Sequence, residues 1–258
     1  MAELEKMHHL CRLRSTLEAF AVSHWRKSPD RAQTRELFWN HLERLRLSAT
    51  AGDYTLFHQE DARLHRALIS APGLPALVKS WETVVNDLDE WILHVQQVYW
   101  PSLMSLYREH VLLLEAWDSA DDWVAEEATH QHLEAGWYRL AAAREDLRPE
   151  IDPVDRAASF ISTHFASRLE VEWVARNVSF VSASHLTRLF RKKVGLPPHV
   201  FLKRVRLDRA AELVRSTPDE ISSIATRVGY KNTSHFVRDF RKRFGVTPLA
   251  HRKAGRSS

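Results

Sequence analysis

VARNVSFVSASHLTRLFRKKVGLPP (Val174–Pro198) and IATRVGYKNTSHFVRDFRKRFGVTP (Ile224–Pro248) are one motif written twice, 50 residues apart. Ten of the 25 aligned positions are identical, including Ser184/Ser234, His185/His235, Arg188/Arg238, Phe190/Phe240, Arg191/Arg241, Lys192/Lys242 and Gly195/Gly245. Self-similarity at a fixed period marks a repeated structural unit. Each copy opens with short helical apolar spacing (Val174, Ala175, Val178; Ile224, Ala225, Val228), turns, and continues with a second stripe (Leu186, Leu189, Phe190; Phe236, Val237, Phe240). A glycine stands just past each second stripe, where a helix end calls for a left-handed residue. The pattern predicts a helix-turn-helix unit in duplicate.

Between the copies, HVFLKRVRLDRAAELV (His199–Val214) has helical apolar spacing and predicts a connecting helix. The remainder of the 258 residues reads as helix too, because glycines number only seven and no alternating apolar/polar run stands out. Breaks are expected at Ser28-Pro29, Gly52-Asp53, Ala71 to Pro75, Trp100-Pro101 and Asp118-Ser119, the last capping a sixth helix. LRPEIDPVD (Leu147–Asp155) reads as a linker. The expected fold is all-α: an antiparallel helical bundle over 1–148, then a domain over 149–258 with two helix-turn-helix units joined by a helix.

Charge divides the chain the same way. Residues 1–149 hold 16 Lys and Arg against 23 Asp and Glu, whereas 150–258 hold 21 against 10. An acidic half beside a strongly basic one is expected when only the second faces a polyanion. Eight of the nine tryptophans lie in the acidic half, so the two parts differ in task. No run reaches the ~18 apolar residues of a membrane span, and MAELEKMHHLCRLR lacks the apolar core of a signal peptide. A cytoplasmic location and no membrane partner are expected. The lone cysteine, Cys11, cannot form an intrachain disulfide and reads as a packing residue.

Residues 155–252 resemble the AraC/XylS family of transcription regulators, and GYKNTSHFVRDFRKRFGVTP (Gly229–Pro248) carries the resemblance most specifically. It implies a DNA-binding domain of two helix-turn-helix units. Recognition helices held about 34 Å apart can enter successive major grooves of double-stranded DNA. Ser182, Ala183, Ser184, Thr187 and Arg188 in the first copy, and Asn232, Thr233, Ser234, His235 and Arg238 in the second, are expected to face base edges. Arg188 and Arg238 suit guanine, which a guanidinium bonds bidentately. His185 pairs with His235 in the repeat and is a base or backbone candidate. Arg191, Lys192, Lys193 and Arg241, Lys242, Arg243 are expected to neutralise phosphates, making affinity fall with salt.

In the acidic half, Asp61 and His65 stand four apart in EDARLHRALIS (Glu60–Ser70), on one face of a helix. Alone, such a pair is usually a polar contact. EDARLHRALISAPGLPALV (Glu60–Val78), followed by REHVLLLEAWDSADDWVAEEATHQHLE (Arg108–Glu134), resembles the FCD domain, the helical effector-binding domain of FadR-type GntR regulators; CRLRSTLEAFAV (Cys11–Val22) resembles its opening helix. The resemblance covers about residues 7–147 and implies a divalent metal held by Asp61, His65, His110 and His132. Three imidazoles and a carboxylate suit zinc, nickel or manganese, and four protein ligands leave two octahedral positions open for a small organic acid. His130 should point away, and His58 is the substitute ligand. Arg14, Trp81 and Tyr107 are the effector-binding candidates, with Trp91 and Trp137 as further aromatics.

The FCD resemblance also implies a homodimer, while RNA polymerase is a further candidate partner. FCD domains usually follow an N-terminal winged helix; here the reader is C-terminal and AraC-like. The leading expectation is a ligand-responsive transcription regulator. The alternative keeps the DNA reader and makes the first half a metal-free dimerisation module. An enzyme is not expected, since Glu60 and Glu109 adjoin the ligands in sequence but should point away, leaving no marked general base.

Overall fold

A computed structural model describes residues 2–100, 102–119, 121–143 and 152–255, apart from the side chains of 2, 3 and 255. Among them are thirteen helices and no strand. The chain splits into two compact units, Met1–Glu150 and Ile151–Ser258. The expected boundary at 148/149 and the linker residues 147–151 lie outside the described residues, as does Pro101. No described helix is long and apolar enough to cross a membrane.

The first unit holds α1 (Ala2–Trp25), α2 (Arg31–Ala51), α3 (Tyr54–Ser70), α4 (Pro75–Tyr99), α5 (Leu103–Trp117) and α6 (Asp122–Ala143). Local chemistry sets several ends. Gly52 closes α2 at φ 71°, Asp53 caps α3 by accepting from the Leu56 amide, and Ser102 caps α5 through the Ser105 amide. Asp118 closes α5 instead of opening α6, and its carboxylate accepts from Arg35 Nε at 2.7 and 2.8 Å. α1 packs against α3, α4 and α6, and α5 against α2 and α6. Trp25, Phe38 and Trp117 meet edge to face and fill one end of the bundle, and Trp117 Nε1 donates to Thr129 Oγ1 at 2.9 Å.

The second unit holds α7 (Pro153–Thr163), α8 (Val171–Asn177), α9 (Ala183–Val194), α10 (Pro198–Ser216), α11 (Ile221–Arg227), α12 (Thr233–Phe244) and α13 (Pro248–Gly255). Asp152 caps α7 through the Val154 amide, so the DPVD end of the expected linker is already the first helical turn. The repeat is real in three dimensions: α8 and α9 form one helix pair, α11 and α12 the other, and α10 lies between them in the chain. Leu186 and Phe190 are buried in one copy, Phe236 and Phe240 in the other. Gly195 and Gly245 both close their helices at φ 78°.

The copies part at the turn. Gly229 takes φ 83°, and a Cβ there would sit 2.6 Å from the Ala166 carbonyl oxygen, so only glycine fits. The first copy has Ser179 in that place and moves the left-handed residue to Phe180, at φ 55°.

Candidate functional site

Asp61 and His65 on α3, His110 on α5 and His132 on α6 each offer a ligand atom, and those atoms all lie within 4.8 Å of one another. Thus the i,i+4 pair on one helix is met by one imidazole from each of two others. Asp61 Oδ1 lies 2.5 Å from His110 Nε2 and 3.4 Å from His65 Nε2. The His110 ring is oriented by its Nδ1, which bonds the Leu106 carbonyl at 2.9 Å. His65 is oriented by a residue that sequence reading passed over: Glu18 on α1, whose Oε2 lies 2.5 Å from His65 Nδ1. Glu18 Oε1 accepts from Arg14 Nε at 2.8 Å and from Trp81 Nε1 at 2.7 Å.

The donor set fits a divalent cation. Three borderline nitrogen donors and one carboxylate converge, and two imidazole nitrogens, His65 Nε2 and His132 Nδ1, are buried with no hydrogen-bond partner. The four groups and Glu18 act strongly on one another's charge. Burial presses Asp61 towards its neutral form, but the His110 and His65 imidazoles hold it well below the usual carboxylate range. Burial likewise presses on Glu18, yet His65 and Arg14 hold it down to about 2. His65 would be lowered by burial, but Glu18 carries it up to about 9. His132 is pushed well below its ordinary value by burial and by the neighbouring His110 and His65, which leaves it neutral with a lone pair to give.

A cavity of about 50 Å³ adjoins the cluster, and Arg14, Cys11, Trp91, Val95, Gln96 and Trp100 are among the residues that line it. Of the expected effector contacts, Arg14 and Trp91 line this cavity. Trp81 is not on the cavity wall, because its indole N–H is committed to Glu18 behind His65. Tyr107 is also absent from the wall; it faces Glu43 and Arg46, whose charges act on its phenol. Trp137 stacks on His8 with ring centroids 4.5 Å apart. His130 bonds Ser15 Oγ at 3.0 Å, and His58 Nε2 bonds Asp89 at 2.9 Å, so neither joins the cluster. Glu60 faces His41, Arg44 and Arg63, and Glu109 bonds Trp100 and Arg139. Cys11 is buried beside Arg14, and burial pushes its thiol up to about 12, which suits a packing residue.

In the second unit, Ala183, Ser184, Thr187, Arg188 and Arg191 line one surface depression. Thr233, Ser234, Val237, Arg238 and Arg241 line another, together with Lys242. These are the same five repeat positions in both copies, so the repeat presents its polar and basic side chains in one register. Ser182 and Asn232 have a different first duty from the one expected. Each is the N-cap of its recognition helix, accepting from the His185 or His235 amide at 3.2 and 3.1 Å. The side chains of His185 and His235 are exposed, as are those of Arg188, Arg238, Arg191, Lys192, Arg241 and Lys242. The third base of each run is exposed but ion-paired: Lys193 to Asp155 at 2.7 Å, and Arg243 to Asp208 through a two-pronged pair at 2.7 and 2.8 Å. Lys193 and Arg243 therefore tie their helices to α7 and α10 across the surface.

Comparison with known proteins agrees with both units. Residues 9–135 match the FCD domain, and residues 177–254 match a helix-turn-helix domain. The chain is similar to the lactose operon transcription activator of Staphylococcus xylosus, with 34% identity over 94 residues, 33% of this chain and 33% of that protein. It thus spans about a third of that relative's length. Among solved structures, it is similar to the C-terminal domain of AraT, a response regulator from Geobacillus stearothermophilus. Identity is 36% and the TM-score 0.38, over 40% of this chain and 84% of that one. A probable AraC family transcriptional regulator from Rhodopseudomonas palustris gives 27% identity and a TM-score of 0.38, over 40% and 96%. The chain therefore carries an FCD domain followed by a helix-turn-helix domain of the AraC type.

Proposed function

We propose that the FCD unit senses a small carboxylate through a divalent metal and thereby modulates DNA binding by the second unit. Asp61, His65, His110 and His132 hold the ion, of which zinc, nickel and manganese suit the donors. The bound ion supplies a Lewis-acidic point with open coordination positions for an acid's carboxylate. Arg14, on the wall of the same cavity, supplies a second positive contact. The observation that carries this reading is the convergence of four donor atoms from three helices in a buried site. Because one water occupies ~10–15 Å³ on a comparable measure, a cavity of about 50 Å³ admits only a few heavy atoms. The effector is accordingly a short acid, or one that displaces Trp91 and its neighbours on α4.

The second unit reads two adjacent turns of duplex with α9 and α12. Arg188 and Arg238 contact bases, and Ser184, Thr187, Thr233 and Ser234 line the same surfaces. Arg191, Lys192, Arg241 and Lys242 meet phosphates. A homodimer joined through the FCD units, acting in the cytoplasm and meeting RNA polymerase at the promoter, completes the reading.

Elemental analysis of purified full-length protein beside His65→Ala tests the centre. Stoichiometric divalent metal in the wild type and its loss in the variant are expected, followed by a shift in DNA affinity when small carboxylic acids are screened. Metal-free protein in both cases would instead make the quartet a self-satisfied polar cluster, for which the 2.5 Å contact between Asp61 and His110 would then account.

A further inference from the structure

Glu18 has no solvent exposure and meets three nitrogens with two oxygens: His65 Nδ1 lies against Oε2, while Arg14 Nε and Trp81 Nε1 donate to Oε1. Guanidinium and indole nitrogens of this kind donate only, so Oε1 must accept, and the buried Arg14 guanidinium 2.8 Å away favours the ionised carboxylate, so that Oε2 accepts as well. A proton on His65 Nδ1 is then required. An Nδ1 lone pair set 2.5 Å from a carboxylate oxygen would be repelled, with no other atom to relieve it. We infer that Glu18 is the positioning residue of the metal centre: it fixes the Nδ1–H form of His65 and leaves the Nε2 lone pair directed at Asp61, His110 and His132.

The inference rests on the metal reading above and adds a residue from α1 to it. Its position differs in kind from the support given to His110, whose Nδ1 is held by the Leu106 backbone carbonyl and cannot be released by changing a side chain. Glu18 also ties the centre to the effector contact, because the same carboxylate that orients His65 holds Arg14. A ligand drawing on Arg14 acts on a group already shared with the cation's ligand.

Glu18→Gln tests this in the full chain. An amide offers one acceptor oxygen and one two-proton nitrogen to three donors. The arrangement that keeps an acceptor for both Arg14 and Trp81 leaves the amide oxygen with them, turns the amide nitrogen towards Nδ1 and moves the imidazole proton to Nε2, the atom the cation needs. Titration with cobalt(II), followed by its visible spectrum and by chelator competition, should show affinity falling about 10–100-fold, the usual effect of losing such a partner. Nitrogen-15 NMR of the zinc-loaded wild type should show His65 protonated at Nδ1 and metal-bound at Nε2. Equal cobalt affinity in wild type and Glu18→Gln overturns the inference and leaves the metal reading standing. A wild type that binds no cobalt overturns both. Should Glu18→Gln not fold, the wild-type NMR spectrum decides: His65 bound through Nδ1, or protonated at Nε2, refutes the role of Glu18.

Discussion

The two units treat charge in opposite ways. The FCD unit draws Arg14, Glu18, Glu60, Asp61, His65, Glu109, His110 and Arg139 into its interior, whereas Asp239 and His164 are the buried ionisable side chains among the described residues of the DNA-reading unit. Buried ionic groups are costly to strip from water, so each must be paired, and each pairing is specific. Exposed charges cost little and contribute little singly; their effect on a polyanion comes from their sum. The first arrangement suits selection of one small buried guest. The second suits an extended partner whose charge is everywhere and whose identity is read at a few points.

The largest expected effect lies in the first unit. Asp61→Ala removes the carboxylate that meets His110 and His65 and leaves the buried His110 without its carboxylate partner and His65 with Glu18 alone, which should destabilise the fold by about 3–5 kcal/mol. Thermal and urea denaturation would measure it, and a loss no greater than that of a surface substitution would break the contrast. Next come Arg188→Ala and Arg238→Ala. Each should cost about 1–3 kcal/mol of DNA affinity and relax base preference at one position, read by binding to a randomised operator pool. A loss uniform across all sequences would demote either arginine to a phosphate contact.

Smaller and more discriminating is a comparison within the basic runs. Lys192→Ala and Lys242→Ala should weaken binding evenly and lower the salt slope by about 1 each. Lys193→Ala and Arg243→Ala should leave the slope close to wild type, because these residues are spent on Asp155 and Asp208. The smallest effect concerns Asp239. Burial would raise its pKa, but the hydrogen bond and charge of Lys203, 2.7 Å away, hold it below its ordinary value. A depressed carboxylate contributes stability above its unfolded pKa of about 3.9 and loses it as pH falls through the folded value. Lys203→Met should therefore be less stable than wild type at neutral pH, with the difference shrinking in acid; a gap that persists through that range would count against the pair.

The repeat made the second unit legible in the sequence because its two copies report on each other: a shared apolar stripe, a shared glycine stop and shared basic positions require no knowledge of distant contacts. Of the four converging donors, Asp61 and His65 were legible as a pair, since one helix turn joins them; His110 and His132 entered through family likeness. Glu18 was not found, although it lies four residues after Arg14 on α1, because its decisive partner is 47 residues away. An Arg and a Glu at i,i+4 among buried apolar neighbours was the available signal. That Trp81 and Tyr107 lie off the cavity wall was illegible for a related reason: aromatic spacing says which face of a helix is buried, but not whether that face meets a cavity or another helix. Lys193 and Lys192 are identical letters side by side. Only the helix phase that brings one of them to Asp155 separates their tasks.

Gly229 gives the duplicated reader a consequence of its own. A genetic exchange that copied the first half-reader over the second would carry Ser179 into a place where the Ala166 carbonyl leaves no space for a side-chain carbon. The two modules are thus kin that can no longer substitute for one another, and each is free to specialise towards its own half of an operator without being overwritten by its twin.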